Sequence, residues 1–128
     1  LYNWYAVNDP RGLAPQGWHV PSDAEWSTLS TCLGGDAVAG GKMKETGTTH
    51  WSSPNSSADN SSGFAGLPGG IRNANGSFDN LGSFGYFWSS TEANTDIAWS
   101  RYLIYSVSGL TSGNRNKFYG FSVRCLRD

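Results

Sequence analysis

The chain has 128 residues, 38% of them hydrophobic and 15% charged, with a formal net charge of −1. That length supports one domain with one core, and an aromatic content of 14% excludes a disordered chain. Residues 1–92 carry four Lys/Arg against eight Asp/Glu and residues 93–128 five against two, too few and too scattered for a nucleic-acid footprint.

In chain order, "YNWYAV" (Tyr2 to Val7) is aromatic and β-branched and predicts a strand. "NDPRG" is a turn cluster. In "GWHVPSDAEWSTLSTCLGG", Ser22 and Glu25 form a Ser-x-x-Glu capping box. Trp26, Leu29 and Leu33 follow at helical spacing and Gly34-Gly35 stops the run, so a helix is expected over Asp23–Leu33. "DAVAGGKMKET" predicts a shorter helix that Gly40 and Gly41 weaken by about 1 kcal/mol each. "GTTHWSSPNSSADNSSG" has no periodicity and reads as a polar loop. The sequons at Asn55, Asn60 and Asn75 read as loop composition rather than glycosylation.

From Phe64 onward the pattern is strand and turn: "FAGLPGG", "IRNANGSFDNLGS", "YFWSSTE", "AWSRYLIY" and "GFSVRCLR". Asn75-Gly76 is a hairpin signal. A capped helix, a loop-rich middle and several short strands give an α+β class, one domain over residues 1–128.

Catalytic motifs are missing. There is no Gly-x-Ser-x-Gly elbow and no phosphate-binding Gly-x-x-x-x-Gly-Lys-Ser/Thr loop. His19 and His50 read as hydrogen-bonded, half-buried side chains rather than a base or a ligand. Glu92 reads as a structural partner of Arg101 or Arg124 rather than a cation ligand. Cys32 and Cys125 lie in no Cys-x-x-Cys and the only histidines are His19 and His50, so they do not read as a structural zinc site, and a disulfide and two buried thiols both stay open. No cofactor and no metal are expected. No apolar run approaches ~18 residues, so no membrane insertion by this domain is expected. The chain opens on Leu1 and reads as a domain cut from a longer or processed protein.

Six ordered segments, "LYNWYAV", "GWHVPSDAEW", "AGGKMKETGTTHW", "GFAGLPGG", "FWSSTE" and "GFSVRC", carry a resemblance over essentially the whole chain. It resembles the Fibrobacter succinogenes major paralogous domain, which is similar to the C-type lectin fold in the branch of the formylglycine-generating enzymes. The resemblance implies one or two helices, short antiparallel sheets, long loops and adjacent termini. "GFSVRC" would be the last strand, beside the amino-terminal one. Lectin domains often join the first helix to that strand, which would pair Cys32 with Cys125. The resemblance implies an extracellular or cell-surface setting, on a lipoprotein anchor or at a phage or pilus tip. It does not extend to calcium-dependent sugar binding, because Glu-Pro-Asn, Gln-Pro-Asp and Trp-Asn-Asp do not occur. Nor do the two cysteines look like the catalytic pair of the formylglycine-generating enzymes.

Folds of this branch also serve as variable proteins of diversity-generating retroelements, in which adenines of a 3′ cassette are rewritten. The segment Asn94–Tyr119 resembles such a cassette. It is rich in Tyr, Ser, Asn and Gly and holds no Glu, Gln or Met. Strand alternation would turn Trp99, Arg101 and Leu103 inward, with Trp88 beneath them, as a scaffold. The outward set would be Asn94, Thr95, Asp96, Ile97, Ser100, Tyr102, Ile104 and Ser106, then Thr111, Ser112, Gly113, Asn114, Arg115, Asn116, Phe118 and Tyr119. Leu110, Lys117 and Gly120 would be anchors. This palette suits a paratope. The expected function is non-enzymatic binding of a protein or glycan ligand on another surface. The alternative is a structural or adhesive module of a bacterial surface or secreted protein without a diversified site.

Overall fold

A computed structural model describes residues 1–128. The capping box forms as the sequence dictates. The Glu25 backbone N–H donates to Ser22 Oγ at 3.3 Å and the Ser22 N–H donates to the Glu25 carboxylate at 2.8 Å. Helix α2 (Asp23–Cys32) follows, and Gly34 and Gly35 leave it at φ of 100° and 96°. Trp26 is buried beneath it.

The amino-terminal segment departs from expectation. Trp4–Val7 is a single-turn helix, α1, capped by the Asn3 side chain, which accepts from the Ala6 N–H at 3.1 Å. Only Tyr2 pairs in β fashion, with Phe121. The cap and the burial of Trp4, whose indole N–H donates to the Ser89 carbonyl at 2.9 Å, override the local β propensity. The structure therefore holds three helices rather than one or two, in an α+β domain with several short antiparallel sheets.

Helix α3 (Asp36–Met43) explains its two glycines. A Cβ on Gly40 would stand 2.0 Å from the Gly109 carbonyl oxygen, and one on Gly41 would stand 2.5 Å from that of Ser57. The helix is thus notched for two loops, and the Gly41 N–H donates to the Ser108 carbonyl at 2.7 Å. Lys44, fully buried, secures the same loops. Its ammonium donates to the carbonyls of Ser56 (2.8 Å), Ile104 (3.0 Å) and Val107 (2.8 Å). Burial pushes its pKa down to about 8.

The polar stretch after α3 has no regular structure but is anchored. Trp51 is buried, its indole N–H donating to the Gly66 carbonyl at 2.9 Å. The Asn55 amide donates to the carbonyls of Glu45 (2.9 Å) and Gly47 (2.6 Å). "FAGLPGG" makes only single bridges, Gly66 with Lys44 and Gly70 with Gly85, so the strand expected there does not form. Around Asn75-Gly76 the hairpin closes, joining β2 (Ile71–Arg72) to β3 (Phe78–Asp79).

The principal sheet is antiparallel, in the order β4 (Phe84–Glu92), β5 (Ile97–Ile104), β6 (Leu110–Asn116). Leu103 and Phe87 pack with Trp26, Met43, Trp51 and Leu110 on one side of it. Tyr86, Trp88 and Ala98 pack with Trp4, Ile71 and Phe121 on the other. Both faces of the sheet are therefore covered, and neither is left wholly to solvent.

"GFSVRC" is not the closing strand. Phe121 pairs with Tyr2 and Ser122 with Phe87, one residue each. The last strand is β7 (Leu126–Arg127), which pairs with β1 (Trp18–His19). Cys32 and Cys125 are free thiols, Cys32 exposed at the end of α2 and Cys125 half-buried, so neither the disulfide nor two buried thiols describes them. Burial pushes the Cys125 thiol pKa up. No helix is long and apolar enough to cross a membrane.

Candidate binding face

Strand β5 runs between β4 and β6, and residues opposite one another share a face. Tyr86, Tyr102 and Thr111 form one such row, and Phe87, Arg101 and Ser112 another. Alternation on this strand sorts side chains between two cores rather than between core and solvent. Leu103 and Arg101 are buried on the helix side. The Arg101 guanidinium donates to the Asp23 carboxylate at 2.5 Å and to Ser27 Oγ at 3.1 Å, clamping β5 to the first turn of α2. Trp99, expected inside, is half-exposed on this face, opposite Asn114 at the sheet edge. Trp88 is fully buried on the other face.

Ser100 corrects the simple alternation. It is 0% exposed, and its hydroxyl donates to the Gly113 carbonyl at 3.0 Å. It lies opposite Trp88 on the face that Phe121 and Trp4 cover. Every other residue of the expected outward set reaches solvent. Asn94, Thr95, Asp96, Ser106, Ser112, Asn114 and Phe118 are exposed, and Ile97, Tyr102, Ile104, Thr111, Gly113, Arg115, Asn116 and Tyr119 are half-buried.

The structure brings only part of this set together. Lys117 is 3% exposed, and its ammonium donates to the Thr95 carbonyl at 2.7 Å and to the Glu92 carboxylate, 4.7 Å above the Trp4 ring. Its backbone N–H donates to the Asp96 carbonyl at 3.0 Å. The β4–β5 turn is therefore fastened to the end of β6. The Asn94 side chain accepts from the N–H groups of Asp96 and Ile97, shaping the turn from within. Ile104 and Ser106 sit at the far end of the sheet, about 23 Å away along the strand. Glu92 finds its partner in Lys117, not in Arg101, Arg124 or a cation. Leu110 and Gly120 are buried like Lys117.

Sequence reasoning missed that Leu110–Asn116 is itself a strand, because its Thr-Ser-Gly-Asn run carries little β propensity. It also missed Tyr5. This exposed ring packs against exposed Phe118, with centroids 5.3 Å apart. Tyr5 rides on α1, where composition predicts a strand, so no sequence signal places it here.

An aromatic ladder lies inside the half-exposed rim. Tyr119 stacks on Phe121, Phe121 on Tyr86, and Tyr86 meets Phe84 and Tyr102 at centroid distances of 4.8 to 6.3 Å. The Arg115 guanidinium lies 5.6 Å over Tyr102 and has no carboxylate partner. The half-exposed rings of Phe84, Tyr102 and Tyr119, one cation without a carboxylate partner and a polar turn reach solvent, on a frame of buried charges. The arrangement brings together no nucleophile with a base. No three His, Cys, Asp or Glu side chains come together as a metal site. His19, half-buried, bonds Glu25 and Asp128, and exposed His50 bonds Glu45 at 2.7 Å. Residues 1–127 match the family model described as the Fibrobacter succinogenes major domain. No curated protein and no solved structure matches the chain.

Proposed function

The chain belongs to the Fibrobacter succinogenes major domain family, and from that premise we propose that it is a non-enzymatic ligand-binding domain of C-type lectin fold. Its binding face lies within residues 94–119, and the domain is the hypervariable part of a diversity-generating retroelement variable protein, displayed at a cell or phage surface. One observation carries this reading. The turn Asn94–Asp96, the edge-strand positions Ser112 and Asn114, and Phe118 in the turn beyond that strand are exposed, while Arg101, Leu103, Leu110 and Lys117, which mount them, are buried. Side chains at the exposed positions can vary without entering either core. Phe118 there supplies rigid contact area, and Asn, Thr and Ser supply adaptable hydrogen bonds at low entropic cost. The ligand is a protein or glycan on another surface.

A library randomised at Thr95, Ser112, Asn114, Arg115 and Phe118 tests it. Folded members that bind different ligands support the reading; general loss of folding contradicts it. The retroelement component stands or falls on a neighbouring reverse-transcriptase gene with a template repeat differing mainly at adenines.

The burial of Ser100 and half-burial of Tyr102 favour a second reading, a structural or adhesive module whose last third covers the core. Tandem copies of this domain in the full-length protein would support it.

A further inference from the structure

A cavity of about 390 Å³ opens between α2, the 62–64 loop and the carboxy-terminal segment that ends in β7. It shares no residue with the face at 94–119. Three of its walls are aromatic: Trp18, Trp26 and Phe64. Trp26 is buried and its indole N–H has no acceptor in the protein, while Trp18 is 45% exposed, which is unusual for so large a ring. Two guanidiniums edge the cavity. Arg124 lies 4.9 Å over the Phe64 ring, and Arg127 stands opposite Trp18 across the β1–β7 pair. Both are exposed and neither has a carboxylate partner. The carboxylate in the wall, Glu25, is already engaged. One oxygen bonds His19 at 2.9 Å and the other accepts from Ser22.

The free charges of the cavity are thus two cations beside an aromatic surface. A guanidinium already stacked on a ring keeps its N–H fork in plane, ready for bidentate bonding to a carboxylate. The volume falls at the small end of ligand cavities and suits a single ring. Ring faces of Trp and Phe take either an aromatic ring or the apolar face of a sugar.

We propose that this cavity binds a small ring-bearing carboxylate, its ring against Trp18 and Phe64 and its carboxylate on Arg124 and Arg127. The two sources of that chemistry are an aromatic acid and a sugar acid. The probes are benzoate and glucuronate, with methyl benzoate as the uncharged control, titrated while the Trp indole N–H signals are followed by NMR. Saturable shifts at Trp18 and Trp26 with either acid are the expected result, and the tighter of the two names the source. The double substitution Arg124→Gln, Arg127→Gln, which leaves both positions exposed and polar, weakens binding about tenfold or more. An unchanged melting temperature in the variant separates this loss from unfolding. Three results would overturn the proposal: no saturation by either acid up to about 20 mM, methyl benzoate binding as well as benzoate, or undiminished binding by the folded double variant.

Discussion

The buried ammonium of Lys117 donates to the Thr95 carbonyl at 2.7 Å across 22 residues of sequence. One side chain thereby holds the β4–β5 turn against the end of β6, and its bond to Glu92 fixes the start of that turn. Lys117→Met keeps the aliphatic bulk but removes the donors. Unfolding in denaturant should show a loss of about 2 kcal/mol, the scale of an orphaned carbonyl plus a broken charged bond. Amide exchange should rise first at residues 93–96.

Lys44 presents a more demanding case, since three backbone carbonyls depend on it and no carboxylate balances it. Lys44→Met should cost about 3 kcal/mol, because three carbonyls lose a charged donor at once. The pH signature is separate. The folded pKa of about 8 lies below the ordinary 10.5, so the unfolded chain holds this proton more tightly. The wild type should gain stability as pH climbs from about 8 to about 10.5, and the Met variant should lack that slope.

Gly40→Ala would raise intrinsic helix propensity by about 1 kcal/mol. It should nonetheless destabilise, by about 2 kcal/mol or more, because the new Cβ would meet the Gly109 carbonyl oxygen at 2.0 Å. Thermal melting decides the sign.

His19 bonds Asp128 at 2.7 Å and Glu25 at 2.9 Å, and these hydrogen bonds raise its pKa above 6.5, Asp128 first. The proton is held more tightly in the folded state. Its stabilisation is therefore full below pH 6.5 and is lost as pH rises through the raised folded value. Melting temperatures of wild type and His19→Gln should differ most at acid pH and converge in alkali.

Tolerance along the segment should follow burial rather than sequence alternation. Ser112→Tyr and Asn114→Tyr, both at exposed positions, should stay within about 0.5 kcal/mol of wild type. Ser100→Tyr must force a ring into a filled site beside Trp88 and should cost about 3 kcal/mol. Urea unfolding of the three variants checks the ranking.

Some of this architecture is legible in the sequence and the rest is hidden for physical reasons. The α2 capping box, the Asn75-Gly76 hairpin and strands β4 and β5 are local signals, and the structure contains them. Helix α1 is hidden because its single turn depends on the Asn3 cap and on a distant acceptor for Trp4. Trp51 sits in a stretch with no periodicity, and only the folded chain brings it into the core beside Phe87 and Leu103. The error at Ser100 has one cause. Alternation says which residues share a face, but not that the second face is covered too. That cover comes from Phe121, outside the strand, and from Trp4, at the other end of the chain.

If surface side chains at the end of the sheet bind a partner, they must do so while contributing little to folding. A titration measures both halves of that statement at once. A partner selected from a protein and glycan array is titrated against wild type and the Arg115→Ala, Phe118→Ala double variant, with melting temperatures recorded alongside. Binding should weaken at least a hundredfold, about 2.7 kcal/mol, with melting nearly unchanged. Equal affinity in the folded double variant, or collapse of the fold with it, would contradict a binding role for this face.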